Sequence, residues 1–228
     1  MRSFSTWPAP LPGGGTSEEA ALIFDQAREN RVLVIPALFD EANKLRRLTV
    51  EVMHRLDLSG IDSFLPDLPG CNDSLQPLAE QTVAGWREAT KAAALRFEAT
   101  HILTVRHGAF LAASQLPGWR YAPASGKKLM RSLMRSRAIS AKEAGLSEGL
   151  AEIEQKGRAG PTKLAGWSFG PSLFNTLLDA ELPPAETLTD ISQDVVGGAG
   201  LWLRAEPDED PEQADALAAL IAIGLDQS

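Results

Sequence analysis

Short apolar runs alternate with amphipathic helical segments along the first half of the chain. The run RVLVIP (residues 31–36) is apolar between its first residue and its final proline, a pattern typical of a strand buried on both faces. The segment after it predicts a helix, because its apolar positions fall on one helical face: Leu45, Leu48, Val52, Met53 and Leu56. The runs IDSFLPDLPG (61–70) and THILTV (100–105) predict two further strands, with a second helix over residues 78–97 between them. This alternation predicts an α/β fold with a mostly parallel sheet and helices on both faces.

The N-terminal residues and the second half of the chain do not follow this alternating pattern of strands and helices. Residues 1–18 are rich in proline and glycine, and we expect them to form an N-terminal arm that is flexible or lies on the surface of the domain. We expect residues 19–228 to form a single domain, since this length suits one α/β unit with a large core. Residues from about 125 to 160 have a helical pattern, which predicts a small helical insert.

Composition argues against several classes of function. The net charge of −8 argues against a nucleic-acid partner, because a phosphate backbone would be repelled on average. The single cysteine, Cys71, rules out an internal disulfide, and the three histidines lack the spacing of a zinc site. Neither glycine-rich nucleotide motif, GxGxxG or GxxxxGK(S/T), occurs, so we expect no cofactor and no metal. No apolar run suits a membrane span and the first residues lack the apolar core of a signal peptide, so we expect a cytoplasmic protein.

The segment THILTVRHGAFLAA (100–113) predicts a strand, a tight turn and a helix. Many enzymes place a nucleophilic serine on such a turn, in the pattern G-x-S-x-G. Here Gly108 matches the second glycine, but Thr104 replaces the first and Arg106 stands where the serine would be. Arginine stays protonated near neutral pH and cannot act as a nucleophile. No histidine follows His107, so the base of a catalytic triad is also missing.

We expect this turn at the carboxyl end of a central strand, between the strands at 31–36 and 61–65, where open α/β sheets bind ligands. Arg106 could there hold a small anionic ligand, or it could pair with a carboxylate such as Asp67 or Asp73 and be structural. The remaining candidates for lining the site are drawn from the neighbouring segments: Phe39, Glu41, Asn43, Ser74, His107 and Trp202.

Each of these candidates also has an ordinary structural interpretation. The segment that holds Glu41 and Asn43 could be only an N-capped amphipathic helix. Ser74 could be a turn residue, and Trp202 could serve core packing.

A basic helix is predicted at residues 125–137. Ser125 suits its N-cap, and Leu129, Leu133 and Met134 share one face. The other positions are mainly basic, which would allow docking on an acidic protein partner or an anionic membrane surface. The alternative is a helix whose charges are simply solvated.

Six segments together resemble the second type of exosortase-A-system-associated hydrolase, a bacterial α/β-hydrolase-like family encoded near exopolysaccharide and protein-sorting genes. They are LVIPALFDEANKLRRL, LPDLPGCNDS, TVRHGAFLA, APASGKKLMRSLMRSR, LAGWSFGPSL and GLWLRAEPDEDPEQADAL, in the order and at about the spacing of that family. The resemblance covers nearly the whole chain from about Ala21 and implies an α/β-hydrolase-like fold. That family also tends to carry arginine at the position held here by Arg106, on the strand-to-helix turn called the elbow in this fold.

The resemblance and the missing triad lead to three hypotheses for function. The first is a non-catalytic or catalytically altered protein that binds a small anionic ligand or a protein partner in an exopolysaccharide-linked system. The second is an active, esterase-like hydrolase that uses a non-standard nucleophile. The third is a purely structural partner protein, in which the pocket above the turn would be filled in.

Overall fold

The structure is a computed structural model that describes residues 2–112, 116–184 and 187–227. Its strands are β1 (Arg2–Pro10), β2 (Thr16–Phe24), β3 (Arg31–Ile35), β4 (Asp62–Pro66), β5 (His101–Val105), β6 (Gly118–Tyr121), β7 (Thr162–Leu164), β8 (Trp167–Phe169) and β9 (Leu188–Ile191). Its α-helices are α1 (Asp40–Leu58), α2 (Val83–Arg96), α3 (Gly126–Glu143), α4 (Leu150–Ala159), α5 (Pro171–Leu178), α6 (Gln193–Val196) and α7 (Pro211–Asp226).

A sheet in the order β1-β2-β4-β3-β5-β6-β9 forms the centre of the described chain. The pairs from β4 to β9 are parallel, whereas β2 runs antiparallel to both of its neighbours. Alternate residues of β3 belong to two different apolar clusters. Leu33 and Ile35 pack in the cluster that contains α2. Val32 and Val34 pack in the cluster that contains α1 and α7. Helices therefore cover both faces of the sheet, and the prediction of a mostly parallel α/β sheet is confirmed.

The predicted neighbours of the central strand are wrong on one side. β5 lies between β3 and β6, and β4 lies on the far side of β3. The chain leaves β3 through α1 to place β4 on one side, and then crosses back through α2 to place β5 on the other. Because both crossovers are long enough to reach either side of β3, the sequence pattern predicts the elements but not this order.

The first residues form an edge strand, so the prediction of a flexible arm over residues 1–18 is wrong. β1 pairs with β2 along its whole length, and Trp7 is fully buried against α2 and Phe97. The glycines that suggested flexibility form the hairpin turn, where Gly14 and Gly15 both have positive φ angles. The two prolines within β1 are compatible with a strand because β1 has a neighbour on one side only.

The predicted helical insert contains α3 and α4, followed by the β7–β8 hairpin and α5, all between β6 and β9. Ser125 caps α3 as predicted, since its side chain accepts a hydrogen bond from the Lys128 N–H. The buried face of α3 packs mainly on α4 and α5. The insert thus forms a small helical unit beside the carboxyl end of the sheet.

Candidate functional site

The turn after β5 has the strained backbone of an elbow. Arg106 follows the last residue of β5 and has a φ of 54°, which non-glycine residues rarely adopt. The chain then enters a 3-10 helix, Arg106–Leu111, where the sequence pattern had predicted an ordinary helix. A Cβ atom on Gly108 would lie 2.6 Å from the Pro36 carbonyl oxygen, so only glycine fits against the end of β3. The predicted tight turn at the carboxyl end of a central strand is therefore present.

The Arg106 side chain is held on every side by protein groups. Its Nε donates to Glu41 Oε2 at 2.8 Å, and a terminal nitrogen lies 3.3 Å from Glu41 Oε1. The other terminal nitrogen donates to the Ala122 carbonyl at 2.8 Å, and the guanidinium carbon lies 3.9 Å from the centre of a Trp202 ring. The Arg106 and Glu41 side chains are only 12% and 17% exposed. This arrangement is a two-pronged, largely desolvated ion pair with a cation–π contact.

The Glu41 partner differs from the carboxylates named from the sequence. Asp67 lies 3.8 Å from Arg46, and Asp67 also accepts a hydrogen bond from Asn72, so it belongs to a different cluster. Glu41 lies in the first turn of α1, directly after β3, and the β3–β5 pairing brings that turn beside Arg106. The sequence predicts Glu41 as a site residue, and the structure shows that it neutralises Arg106.

His107 is sealed behind the ion pair. Its side chain is 1% exposed, and Nδ1 lies 3.5 Å from Glu41 Oε2. Neither ring nitrogen has a hydrogen-bond partner within the described part of the chain. Burial, with a smaller contribution from the Arg106 charge, lowers the pKa of His107 to about 3. A neutral imidazole that solvent cannot reach has no route for passing a proton to or from a substrate.

Phe39 fills the space on the opposite side of the elbow. It has a φ of 57° and packs against Trp86, Trp167 and Phe169, with ring centroids 4.9 to 6.2 Å apart. Trp167 and Phe169 come from the β7–β8 hairpin of the insert, which therefore closes over this region. The cavity that remains beside Phe39 has a volume of about 20 Å³, room for roughly one water.

Asn43 and Ser74 do not join the elbow. Asn43 lines a cavity of about 220 Å³ together with Asp67 and Asn72. The Ser74 hydroxyl donates to Glu19 at 2.9 Å and accepts from the Gly70 N–H at 2.8 Å, which fixes a loop. Burial raises the pKa of the nearby Cys71 thiol to about 12, so this thiol is not an activated nucleophile.

The sequence pattern does not predict the polar network that lies next to the elbow. The Tyr121 hydroxyl donates to Gln193, whose side-chain amide in turn donates to Gly197 and to Gln213. No sequence motif includes Tyr121 or Gln193, and only the β6–β9 pairing brings them together. The network ties α6 and α7 to the sheet without supplying an acid or a base.

The described residues contain no group of three or more His, Cys, Asp and Glu side chains that could hold a metal ion. Among the same residues, no helix has both the length and the apolar character needed to cross a bilayer.

Comparisons with solved structures identify the fold. A provisionally named hydrolase from Agrobacterium vitis S4 is 13% identical, with a TM-score of 0.57 over 100% of this chain and 98% of that chain. Alpha/beta hydrolase domain-containing protein 10 from mouse is also 13% identical, with a TM-score of 0.57 over 100% of this chain and 99% of that one. The alpha/beta hydrolase GrgF from Penicillium sp. sh18 is 12% identical, with a TM-score of 0.50 over 80% of this chain and 74% of its own.

No protein-family model matches the sequence, and no curated protein matches it. At these identities the structural likeness shows the fold alone. The chain has an α/β-hydrolase-like fold, in which Arg106, Glu41, His107 and Trp202 come together at the elbow.

Proposed function

We propose that this chain is a non-catalytic α/β-hydrolase-fold protein that acts as a binding protein in a bacterial exopolysaccharide-linked system. The observation that carries the proposal is the ion pair between Arg106 and Glu41. A guanidinium occupies the position from which a serine would attack, and it is held by a carboxylate, a carbonyl and an indole ring. The elbow therefore provides structural anchoring in place of a nucleophile.

The filled space around the elbow supports the same proposal. Phe39 and the aromatic side chains of the β7–β8 hairpin occupy the region where a substrate would need to lie. Larger openings lie elsewhere: a cavity of about 1050 Å³ runs between the β1–β2 turn and α2, and Arg106 does not line it. The resemblance to exosortase-associated hydrolases supplies the proposed system, and we place the protein in the cytoplasm.

A reactive-probe experiment tests whether the chain is an active hydrolase with an unrecognised nucleophile. The wild type is treated with a fluorophosphonate and assayed on a panel of p-nitrophenyl esters. We expect neither labelling nor turnover above the protein-free background, since the elbow carries Arg106 in place of a serine and the Cys71 thiol is not activated. Rapid ester turnover that disappears in the variant Ser74→Ala would refute the proposal.

A thermal-shift experiment addresses the anionic ligand expected from the sequence. Sugar phosphates and uronic acids are added to the wild type and to Arg106→Gln. Because Glu41 already neutralises Arg106, we expect no stabilisation of either protein. Stabilisation of the wild type that is lost in Arg106→Gln would instead establish an anion site at the elbow.

A further inference from the structure

The exposed face of α3 carries a set of cations that the fold leaves unpaired. Residues 125–143 contain six lysines and arginines and a single carboxylate, Glu143 at the end of α3, although the whole chain has a net charge of −8. Five of them are exposed, and their side chains have no ion-pair or hydrogen-bond partner within the described ranges. They form the basic face: Lys127, Lys128, Arg131, Arg135 and Lys142.

The sixth cation, Arg137, shows what a structural arginine looks like in the same helix. It donates to both carboxylate oxygens of Glu148, to the Thr162 hydroxyl and to the Lys163 carbonyl. Arg137 lies on the side of α3 that faces the rest of the insert. Carboxylate and hydroxyl groups of the insert therefore bind Arg137, whereas the basic face of α3 is exposed to solvent.

The geometry of the basic face is that of a straight strip. At 100° per residue, its five cations lie within an arc of about 100°, and at 1.5 Å per residue they extend over about 22 Å. Ile139, which is 59% exposed, lies beside the strip. Two more exposed apolar side chains, Leu146 and Leu150, lie in the connection to α4 and in its first turn.

We propose that the basic face of α3 binds the surface of a membrane that contains anionic lipids. A lipid surface presents negative charge in a plane and requires no matching register, which suits a row of long, unpaired cations. The neighbouring Ile139 supplies the apolar contact that interfacial helices add to this attraction. The strongly acidic remainder of the chain would be repelled, so the molecule would bind with the insert facing the lipid. An acidic protein is the alternative partner, but the cavity of about 890 Å³ that adjoins α3 is lined by Arg137, Ser140 and Ala141 and by none of the five cations of the basic face.

Vesicle co-sedimentation tests this proposal independently of the state of the elbow. The full chain is mixed with phosphatidylcholine vesicles, with or without a substantial fraction of phosphatidylglycerol, at low and high salt. We expect binding only to the anionic vesicles and release by salt, because Debye screening weakens the attraction. In Arg131→Gln/Arg135→Gln we expect the partition coefficient to fall roughly fivefold for each neutralised side chain.

The matched control is Arg2→Gln/Arg96→Gln, which changes the net charge equally but removes exposed arginines of β1 and α2. This control should bind like the wild type, and unchanged thermal unfolding should show that both variants fold. The proposal is overturned if anionic vesicles do not bind, if phosphatidylcholine alone binds equally well, or if the two double variants behave alike. Binding to polyglutamate without binding to vesicles would also overturn it, in favour of an acidic protein partner.

Discussion

Arg106 combines the backbone of a catalytic elbow with a side chain that cannot perform the chemistry. A non-glycine residue at positive φ costs about 1–3 kcal/mol and persists only where the surroundings impose it. Here the end of β3 imposes it, because Gly108 packs directly against the Pro36 and Ile35 carbonyls. The strain therefore follows from the close approach of this turn to the end of β3, whatever residue stands at position 106.

The ion pair at the elbow leads to the first prediction. Glu41→Ala leaves the largely desolvated Arg106 without its carboxylate, and we expect the free energy of unfolding to fall by on the order of 3 kcal/mol. The double variant Glu41→Leu/Arg106→Met removes both charges together and should recover most of that loss. Urea unfolding of the wild type, the single variant and the double variant measures both effects. If Glu41→Ala is as stable as the wild type, the pair does not anchor the elbow.

His107 gives a prediction for the dependence of stability on pH. Its pKa is about 3 in the fold, below the ordinary value of 6.5, so the unfolded chain binds more protons between those two values. Stability should therefore fall as the pH falls from about 6.5 towards 3, at up to about 1.4 kcal/mol per pH unit. Burial also lowers the pKa of His101, which adds to the same trend.

The variant His107→Asn tests this assignment, with the exposed His54→Asn as the control. The slope of unfolding free energy against pH should be reduced in His107→Asn and unchanged in His54→Asn. Equal slopes in His107→Asn and the wild type would mean that His107 does not remain neutral in the fold.

At the scale of elements, the interior strands could be predicted from the sequence, whereas their order and the edge strand β1 could not. β3 is apolar after Arg31, and β5 contains Ile102, Leu103 and Val105; short apolar runs of this kind between amphipathic helices indicate buried strands. β1 contains prolines and leads into a glycine-rich turn. Edge strands tolerate these residues, and flexible segments are also rich in them, so the composition does not distinguish the two. The same limit applies to the site: Arg106 could be identified by its place in a local motif, whereas Glu41 becomes its partner only through the β3–β5 pairing.

The edge strand can be tested through its two aromatic residues. Trp7 is 0% exposed and Phe4, on the same strand, is 74% exposed. We expect Trp7→Ala to lower the free energy of unfolding by about 3–5 kcal/mol, because it opens a cavity against α2. Phe4→Ala should change it by less than about 0.5 kcal/mol. If Trp7→Ala does not change the free energy of unfolding, β1 does not pack against α2 in solution.

At the scale of the whole molecule, the elbow joins segments that are far apart in the sequence. Arg106 connects the first turn of α1, the residue that follows β6 and the short 3-10 helix that contains Trp202. In an enzyme of this fold, the same meeting point would assemble a nucleophile, a base and an acid. Here it assembles a cation, an anion, a carbonyl and an indole, which is a set suited to holding segments together.

Restoring a serine at the elbow should consequently fail to restore catalysis. The variant Arg106→Ser supplies a hydroxyl, but the only histidine beside it, His107, is neutral, sealed from solvent and without a hydrogen-bonded partner in the described residues. A serine without a general base remains a weak nucleophile, since triad members act as a unit and losing one costs several orders of magnitude in rate. We expect Arg106→Ser and Arg106→Ala to show the same background rate on p-nitrophenyl esters and the same absence of fluorophosphonate labelling. Turnover by the serine variant well above the alanine variant would show that a working base faces the elbow, and the non-catalytic assignment would then be wrong.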